Sequence, residues 1–357
     1  INIHKRYLLK KFLKKIFLIS GIFLILILII NLIEEANFLK NTDAYFITPL
    51  ILSSLNAPSL LYEMFPFIFL ISTQFFFIDI FENREIFTLR QFGMDNFNLL
   101  RFLTSVSFIL GFFFIILFYN FSFLLKNKYL QIKNDYAKDK KYLAVITKNG
   151  LWIKDKVGTK SYIINSSEIK NNFLINTFIT EFDNDYNVIK NIKSNKIDIS
   201  KNEWLIYDLK LYENNTSKKI DVLKLNTNFD YQKIQSLYSS LSSFDIFKLF
   251  QLRENYKKLN YSLIELDLQL FKLVFYPFYL FLMTIFSALI MFRIKRFDNS
   301  TFKISLGLFF SVIIYYVNNF FNVMGKTEKF SIFVSIWVPL IILLLINIIM
   351  INRINEK

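Results

Sequence analysis

Six long apolar runs interrupt this sequence, at about Ile16–Ile33, Leu60–Phe81, Phe102–Leu125, Leu270–Phe292, Ile304–Val323 and Ile332–Ile351. Crossing about 30 Å of hydrocarbon as a helix takes roughly 20 mostly apolar residues. Only a helix or a closed barrel satisfies its own backbone polar groups in lipid. The runs have the length a helix needs, and 54% of the 357 residues are hydrophobic. The expected fold class is therefore an α-helical integral membrane protein with six transmembrane helices.

Between the third and fourth runs the character changes. From residue 126 to 262 the long apolar stretches vanish, and Lys, Asn, Asp, Ser and Tyr take over. Short alternating segments recur between turn residues: Tyr142–Thr147, Leu151–Lys154, Ser161–Ile164, Phe173–Phe182, Trp204–Tyr212 and Ile220–Leu225. Alternation is the mark of a half-buried strand. About 135 such residues predict an inserted all-β extracytoplasmic domain, a sandwich or a β-jellyroll-like fold. Its last part turns helical, with Leu249, Leu252 and Tyr256 in register. The domain reading is thus 1–125 for an amphipathic start and three spans, 126–262 for the β domain, and 263–357 for three more spans.

The segment Lys5–Ile16 puts Leu9, Phe12, Leu13 and Ile16 on one helical face and Lys10, Lys11, Lys14 and Lys15 on the other. That suits an anionic membrane surface. The run that follows lacks a small-residue cleavage site and is long enough to span, so it reads as a span and not as a cleaved signal. Lys and Arg in short loops set orientation. They gather at the N-terminus, in the loop holding Arg84, Arg90 and Arg101, in the loop holding Arg293, Lys295, Arg296 and Lys303, and at Arg353 and Lys357. The opposite short loops hold only Lys40, Lys326 and Lys329. Both termini are expected in the cytoplasm and the β domain outside it. The net charge of +15 then answers to anionic membrane lipids, and no nucleic-acid partner is expected.

The second span opens at Pro58, a residue suited to a helix start. Pro66 falls inside its first turns and should loosen them. After this span comes a polar island, Glu82 to Asp95. Asn83 can cap a helix start, Gly93 can end it in the left-handed conformation, and Asp95 or Asn96 can cap the next helix. Ile86, Leu89, Phe92 and Gly93 share one face at helical spacing. A short helix here, carrying Glu85 and Arg90 at the cytoplasmic surface, suits docking; a plain solvated connector is the competing reading.

Catalytic chemistry is hard to place. The chain has one His and no Cys, which removes disulfides, common metal-ligand spacings and the base of a hydrolytic triad. Gly325-Lys326-Thr327 resembles the end of a phosphate loop, but Phe320 stands where its first glycine belongs. Glu34 and Glu35 are adjacent and read as a solvated span end. No catalytic residue, metal or cofactor is expected on this chain. Tyr316, Asn318 and Asn319 are polar at membrane depth, where such residues face a partner helix or a cavity.

Several motifs together resemble one family. Pro58 with Glu63-Met64-Phe65-Pro66, then Arg84-Glu85-Ile86, Leu89-Arg90 and Gly93, is similar to the second span and coupling segment of the lipopolysaccharide export permeases LptF and LptG. Gly150-Leu151-Trp152-Ile153-Lys154-Asp155, Leu241-Ser242-Ser243-Phe244-Asp245 and Trp337-Val338-Pro339 resemble further segments of LptG. The resemblance implies a non-catalytic permease of an ABC-type exporter in a bacterial inner membrane. An LptF-like sister permease, an LptB-like ATPase dimer that uses the ATP, and an LptC-like periplasmic bridge would complete it. Lipopolysaccharide would be the cargo. Carried over, Glu85 would be the acidic ATPase-coupling residue, with Arg84, Ile86, Leu89, Arg90 and Gly93 around it. The family's basic residues near the outer end of span 1 are replaced here by Asn31, Glu34 and Glu35 with only Lys40 nearby, and Ser59 stands where a lysine can occur. Lys40, Glu34, Asn31, Tyr316 and Asn319 are the candidate substrate contacts. A less anionic glycolipid, or phosphate binding by the partner, fits that departure. An exporter of another lipid or lipoprotein, and a membrane-anchored periplasmic sensor or scaffold, are the alternatives.

Overall fold

The computed structural model describes residues 3–40, 42–136, 151–170, 172–183, 187–213, 216–231, 233–234, 241, 244–258, 262–293 and 300–355. The chain divides into two compact units, Ile1–Tyr129 with Leu263–Lys357, and Leu130–Ser262.

The first unit is helical. Its elements are α1 (Ile3–Leu39), α2 (Thr48–Glu82), the short α3 (Glu85–Gln91), and α4 (Asn96–Phe113), which runs through a π-helical turn at Phe114–Tyr119 into α5 (Asn120–Tyr136). After the β domain come α7 (Ile264–Arg293), α8 (Ser300–Lys326) and α9 (Ile332–Asn355); α6 (Ile246–Lys258) belongs to the second unit. Among the described residues six helices are long and apolar enough to cross a membrane. Their apolar stretches are not buried alike. Those of α2 and α7 are mostly covered by protein, whereas α1, α8 and α9 leave most of theirs open. The bundle is thus built around α2 and α7.

α2 differs from the sequence expectation. It starts at Thr48, with Pro49 in the first turn, and not at Pro58. Pro49 occupies the position where a missing N–H costs nothing. Pro58 and Pro66 both lie inside the helix. A helical proline has no N–H for the carbonyl four residues back. For Pro66 that carbonyl belongs to Tyr62, and the hydroxyl of Tyr276 on α7 donates to it at 2.8 Å. The two tyrosine rings stack with centroids 4.6 Å apart. Nearby, Phe65 stacks on Phe114 of the π-helical turn at 4.1 Å, and Tyr119 of the same turn lies 5.3 Å from the Tyr62 ring. The irregular levels of the spans therefore pack on one another. Gly111 permits close approach of α4 to α7, since a Cβ there would sit 2.6 Å from the Pro277 Cα.

The second unit carries the expected all-β insertion. Among the described residues six strands, β1 (Leu151–Val157), β2 (Lys160–Lys170), β3 (Phe173–Phe182), β4 (Val188–Asp198), β5 (Glu203–Glu213) and β6 (Thr216–Asn226), form one antiparallel sheet in chain order. Sequence alternation anticipates five of them and misses β4. The further strand expected at Tyr142–Thr147 lies outside the described residues. One face of the sheet is a closed core, with Ile153, Ile164, Leu174, Ile179, Ile192, Ile197, Trp204 and Ile206 no more than 1% exposed. Two irregular positions share one hydrogen-bonding device. Asn176 on β3 and Asp208 on β5 have positive φ, and the preceding carbonyls, Ile175 and Tyr207, accept from Ser166 at 2.8 Å and Ser194 at 2.6 Å on the neighbouring strands. The pairing register is unchanged across both positions. The segment after β6 lies against β1. The buried Asp155 carboxylate accepts the Asn228 backbone N–H at 3.0 Å and its side-chain amide at 2.8 Å.

Candidate functional site

The polar island forms α3, one residue later than its cap residues suggest. Asn83 does not cap it; Asn83 ends α2, and its amide donates to Asp79 at 3.0 Å. Arg84, in the left-handed conformation, takes the N-cap position with no side-chain cap. The other end follows the expected chemistry. Gly93 has φ +78°, its N–H donates to the Arg90 carbonyl at 2.9 Å, and the Met94 N–H donates to the Leu89 carbonyl at 2.9 Å. That pair of bonds is a Schellman motif, which needs a residue at ease with positive φ. Asp95 then caps α4, accepting from the Asn98 N–H at 2.7 Å. Ile86, Leu89 and Met94 point inward. Phe92, placed by spacing on the same face, is exposed instead and stacks on His4 at 4.1 Å.

Glu85 does not stand free. Lys11 Nζ donates to both of its carboxylate oxygens at 2.7 Å, and the Tyr7 hydroxyl donates to one of them at 3.0 Å. Lys11 also lies 3.3 Å from Asp79, which Lys15 meets at 3.2 Å. Two lysines of α1 thus face one carboxylate near the end of α2 and one at the start of α3. The buried stripe of α1 explains the geometry. Leu8, Phe12, Ile16 and Ile19 pack inward, so Tyr7, Lys11 and Lys15, four residues apart, flank that stripe on the side of α2 and α3. Lys11 and Lys15 are therefore not part of a free lipid-facing row, whereas Lys10 and Lys14 are exposed. Phe87 and Phe97 stand out at this end of the bundle, 62% and 53% exposed. Phe97 also lines a cavity of about 340 Å³ with Arg90 and Asp95 on its lining and Leu100, Leu289 and Phe292 among its apolar walls.

The far end of α1 carries a second polar cluster. Asn31 is buried and accepts from Asn56 of α2 at 3.3 Å. Ser59 donates to the Asn56 side-chain oxygen at 3.2 Å. Glu35, expected as part of a solvated span end, is 1% exposed and accepts the Tyr129 hydroxyl at 2.8 Å. The helix turns it inward because Asn31, Glu35 and Leu39, four apart, share the buried face. Glu34 and Lys40 are exposed. On α8, Tyr316 and Asn319 are exposed and open outward from this chain, whereas Asn318 is half-buried.

Among the sequence candidates, then, Arg84, Glu85, Ile86, Leu89, Arg90 and Gly93 lie together on or beside α3. Asn31 joins an interhelical network, while Glu34, Lys40, Tyr316 and Asn319 show no common cluster. Sequence reasoning missed Tyr7, Lys11 and Asp79 at the first site and Asn56 and Tyr129 at the second. The four-residue spacing of Tyr7, Lys11 and Lys15 was the available signal. Among the described residues no group of three or more His, Cys, Asp or Glu gathers to hold a metal ion.

No curated protein matches the chain. A family model does, the lipopolysaccharide export system permease LptF/LptG, over residues 6–353. The match runs from the first helix through the inserted sheet to the last span. With six membrane-length helices split by a β domain and a short helix after the second of them, the chain belongs to the LptF/LptG family of lipopolysaccharide export permeases.

Proposed function

We propose that this chain is the non-catalytic permease subunit of an ATP-driven lipopolysaccharide exporter in a bacterial inner membrane. Its resemblances favour LptG over LptF. Both termini lie in the cytoplasm and the β domain in the periplasm, because Lys and Arg gather in the loops on the side of α3. The observation that carries the reading is α3 itself. It is capped by a Schellman turn, seated by Ile86 and Leu89, and bordered by exposed Phe87 and Phe97 and a cavity. An exposed aromatic surface with a charged rim is what a protein partner covers. An LptB-like ATPase dimer docks there, with Glu85 the coupling carboxylate, and hydrolyses the ATP; the chain holds no cofactor of its own.

An LptF-like sister permease completes the membrane part. The open apolar faces of α1 and α8 support this, since in the bilayer such faces meet lipid or another helix. Tyr316 and Asn319 on the open side of α8 then face the space enclosed between the two permeases. Lipopolysaccharide taken from the outer leaflet passes to the β domain and on to an LptC-like bridge. With Asn31 and Glu35 buried, Lys40 is the described cation near the end of α1, which supports phosphate recognition by the sister subunit.

The test is mild-detergent purification of the tagged chain from its native membrane, with mass spectrometry of proteins and lipids together. Recovery of an ATPase, a second permease and a glycolipid is expected, with loss of the ATPase in Glu85→Lys while insertion survives. Recovery of the chain alone would favour a membrane-anchored periplasmic scaffold.

A further inference from the structure

Glu85 is the residue the docking reading depends on, and this chain already supplies it with a counterion. Lys11 holds both carboxylate oxygens at 2.7 Å, with the Lys11 side chain 11% and the Glu85 side chain 26% exposed. A partner's ammonium or guanidinium group arriving at Glu85 therefore meets a carboxylate that is already neutralised. The geometry also shows where Lys11 can go. Its ammonium lies 3.3 Å from Asp79, so it can give up Glu85 without losing its negative neighbour. Lys15 and the Asn83 amide already orient Asp79.

We propose that Lys11 is an internal competitor for the docking surface: it holds α3 against α1 in the free permease, and a cation of the ATPase displaces it from Glu85 onto Asp79. The inference rests on the reading of α3 as the ATPase contact. It adds that the N-terminal turns of α1 belong to that contact and set its strength. The two carboxylates sit on different elements, Asp79 near the end of α2 and Glu85 at the start of α3. Passing Lys11 from one to the other releases α3 from α1 and leaves α1 tied to α2.

The experiment measures the affinity of the full-length chain, in its permease complex, for the ATPase that co-purifies with the wild type. Lys11→Gln removes the competitor and should tighten docking about three- to tenfold, the range expected for one charge-assisted bond that is part-exposed. Lys11→Arg supplies a planar fork that matches a carboxylate better than an ammonium does, and should weaken docking by a similar factor. A merely structural ion pair predicts the reverse order, with Arg tolerated and Gln harmful. Asp79→Asn removes the fallback and should also weaken docking. Loss of docking in Glu85→Gln, with Lys11→Gln no tighter than wild type, overturns the competitor role and leaves the docking site standing. Unchanged docking in Glu85→Gln overturns the docking site and this inference together.

Discussion

Removing one oxygen atom from Tyr276 should loosen the middle of the bundle, and Pro66 should decide by how much. Tyr276→Phe keeps the ring stacked on Tyr62 and deletes only the hydroxyl that donates to the Tyr62 carbonyl at 2.8 Å. That carbonyl has no helical partner because residue 66 is proline. Leaving a buried carbonyl unpaired costs about 1–3 kcal/mol, and Tyr276 is buried. The expected loss is therefore about 1–2 kcal/mol, a fall of roughly 1–3 °C in thermal midpoint for a protein of this size. In the Pro66→Ala background the new N–H takes the Tyr62 carbonyl, and Tyr276→Phe should then cost almost nothing. The assay is thermal unfolding of the four proteins of this double-mutant cycle in one detergent, followed by intrinsic fluorescence. A coupling of about 1–2 kcal/mol between the positions supports the pairing. An equal cost of Tyr276→Phe in both backgrounds would refute it, whatever Pro66→Ala does alone.

Gly93→Val should strain the positive φ that closes α3, at roughly 1–2 kcal/mol, and reduce ATPase recovery in pull-downs, while Gly93→Asn retains most of it; the opposite order would count against the Schellman closure. Gly111→Ala should lower the thermal midpoint by an amount equivalent to about 1–3 kcal/mol, because its Cβ meets the Pro277 backbone, whereas Gly21→Ala, with open space around it in the interior of α1, should leave it unchanged or slightly raised. In the β domain Glu181 is 1% exposed between Lys160 at 2.6 Å and Lys190 at 3.1 Å. The hydrogen bond and charge of Glu181 raise the Lys160 ammonium above the usual lysine range. A raised lysine contributes stability that is complete below its unfolded value, about pH 10.4, and lost as pH climbs through the folded one. Circular dichroism of the full chain should show a strand signal that is flat from about pH 7 to 10 and falls above that; a decline beginning near pH 8 would contradict the assignment.

The features legible in the sequence were those with a local cause. Apolar runs gave the six spans, alternation gave five strands, and Gly93 and Asp95 marked where α3 ends and α4 starts. The misses each need information from elsewhere in the chain. The first turns of α2 carry Ser53, Asn56 and Ser59, which break an apolar count; in the fold all three are buried and bonded. β4 shows few apolar residues, because Ile192 and Ile197 reach the core on either side of an irregular stretch where Ser194 bonds across to β5. Lys11 looked like any lysine on the charged side of an amphipathic helix. Its inward role depends on Glu85, 74 positions away, which no helical period can reveal.

The 35 residues of α2 make a rod about 52 Å long. Pro66 falls close to its centre, with about 27 Å toward Thr48 and about 24 Å toward Glu82 at 1.5 Å per residue. Tyr276 pins the rod to α7 at that level. A rod pinned at its middle works as a lever with nearly equal arms. A tilt of about 5° there carries the Thr48 end sideways by about 2.4 Å and the Glu82 end the opposite way by about 2.1 Å, over the arm lengths set by helical rise. A push on α3 at one end of α2 is then felt, inverted, at Asn56 and its partner Asn31, about 15 Å beyond the pin, as a shift of roughly 1.3 Å against the 2.1 Å at Glu82.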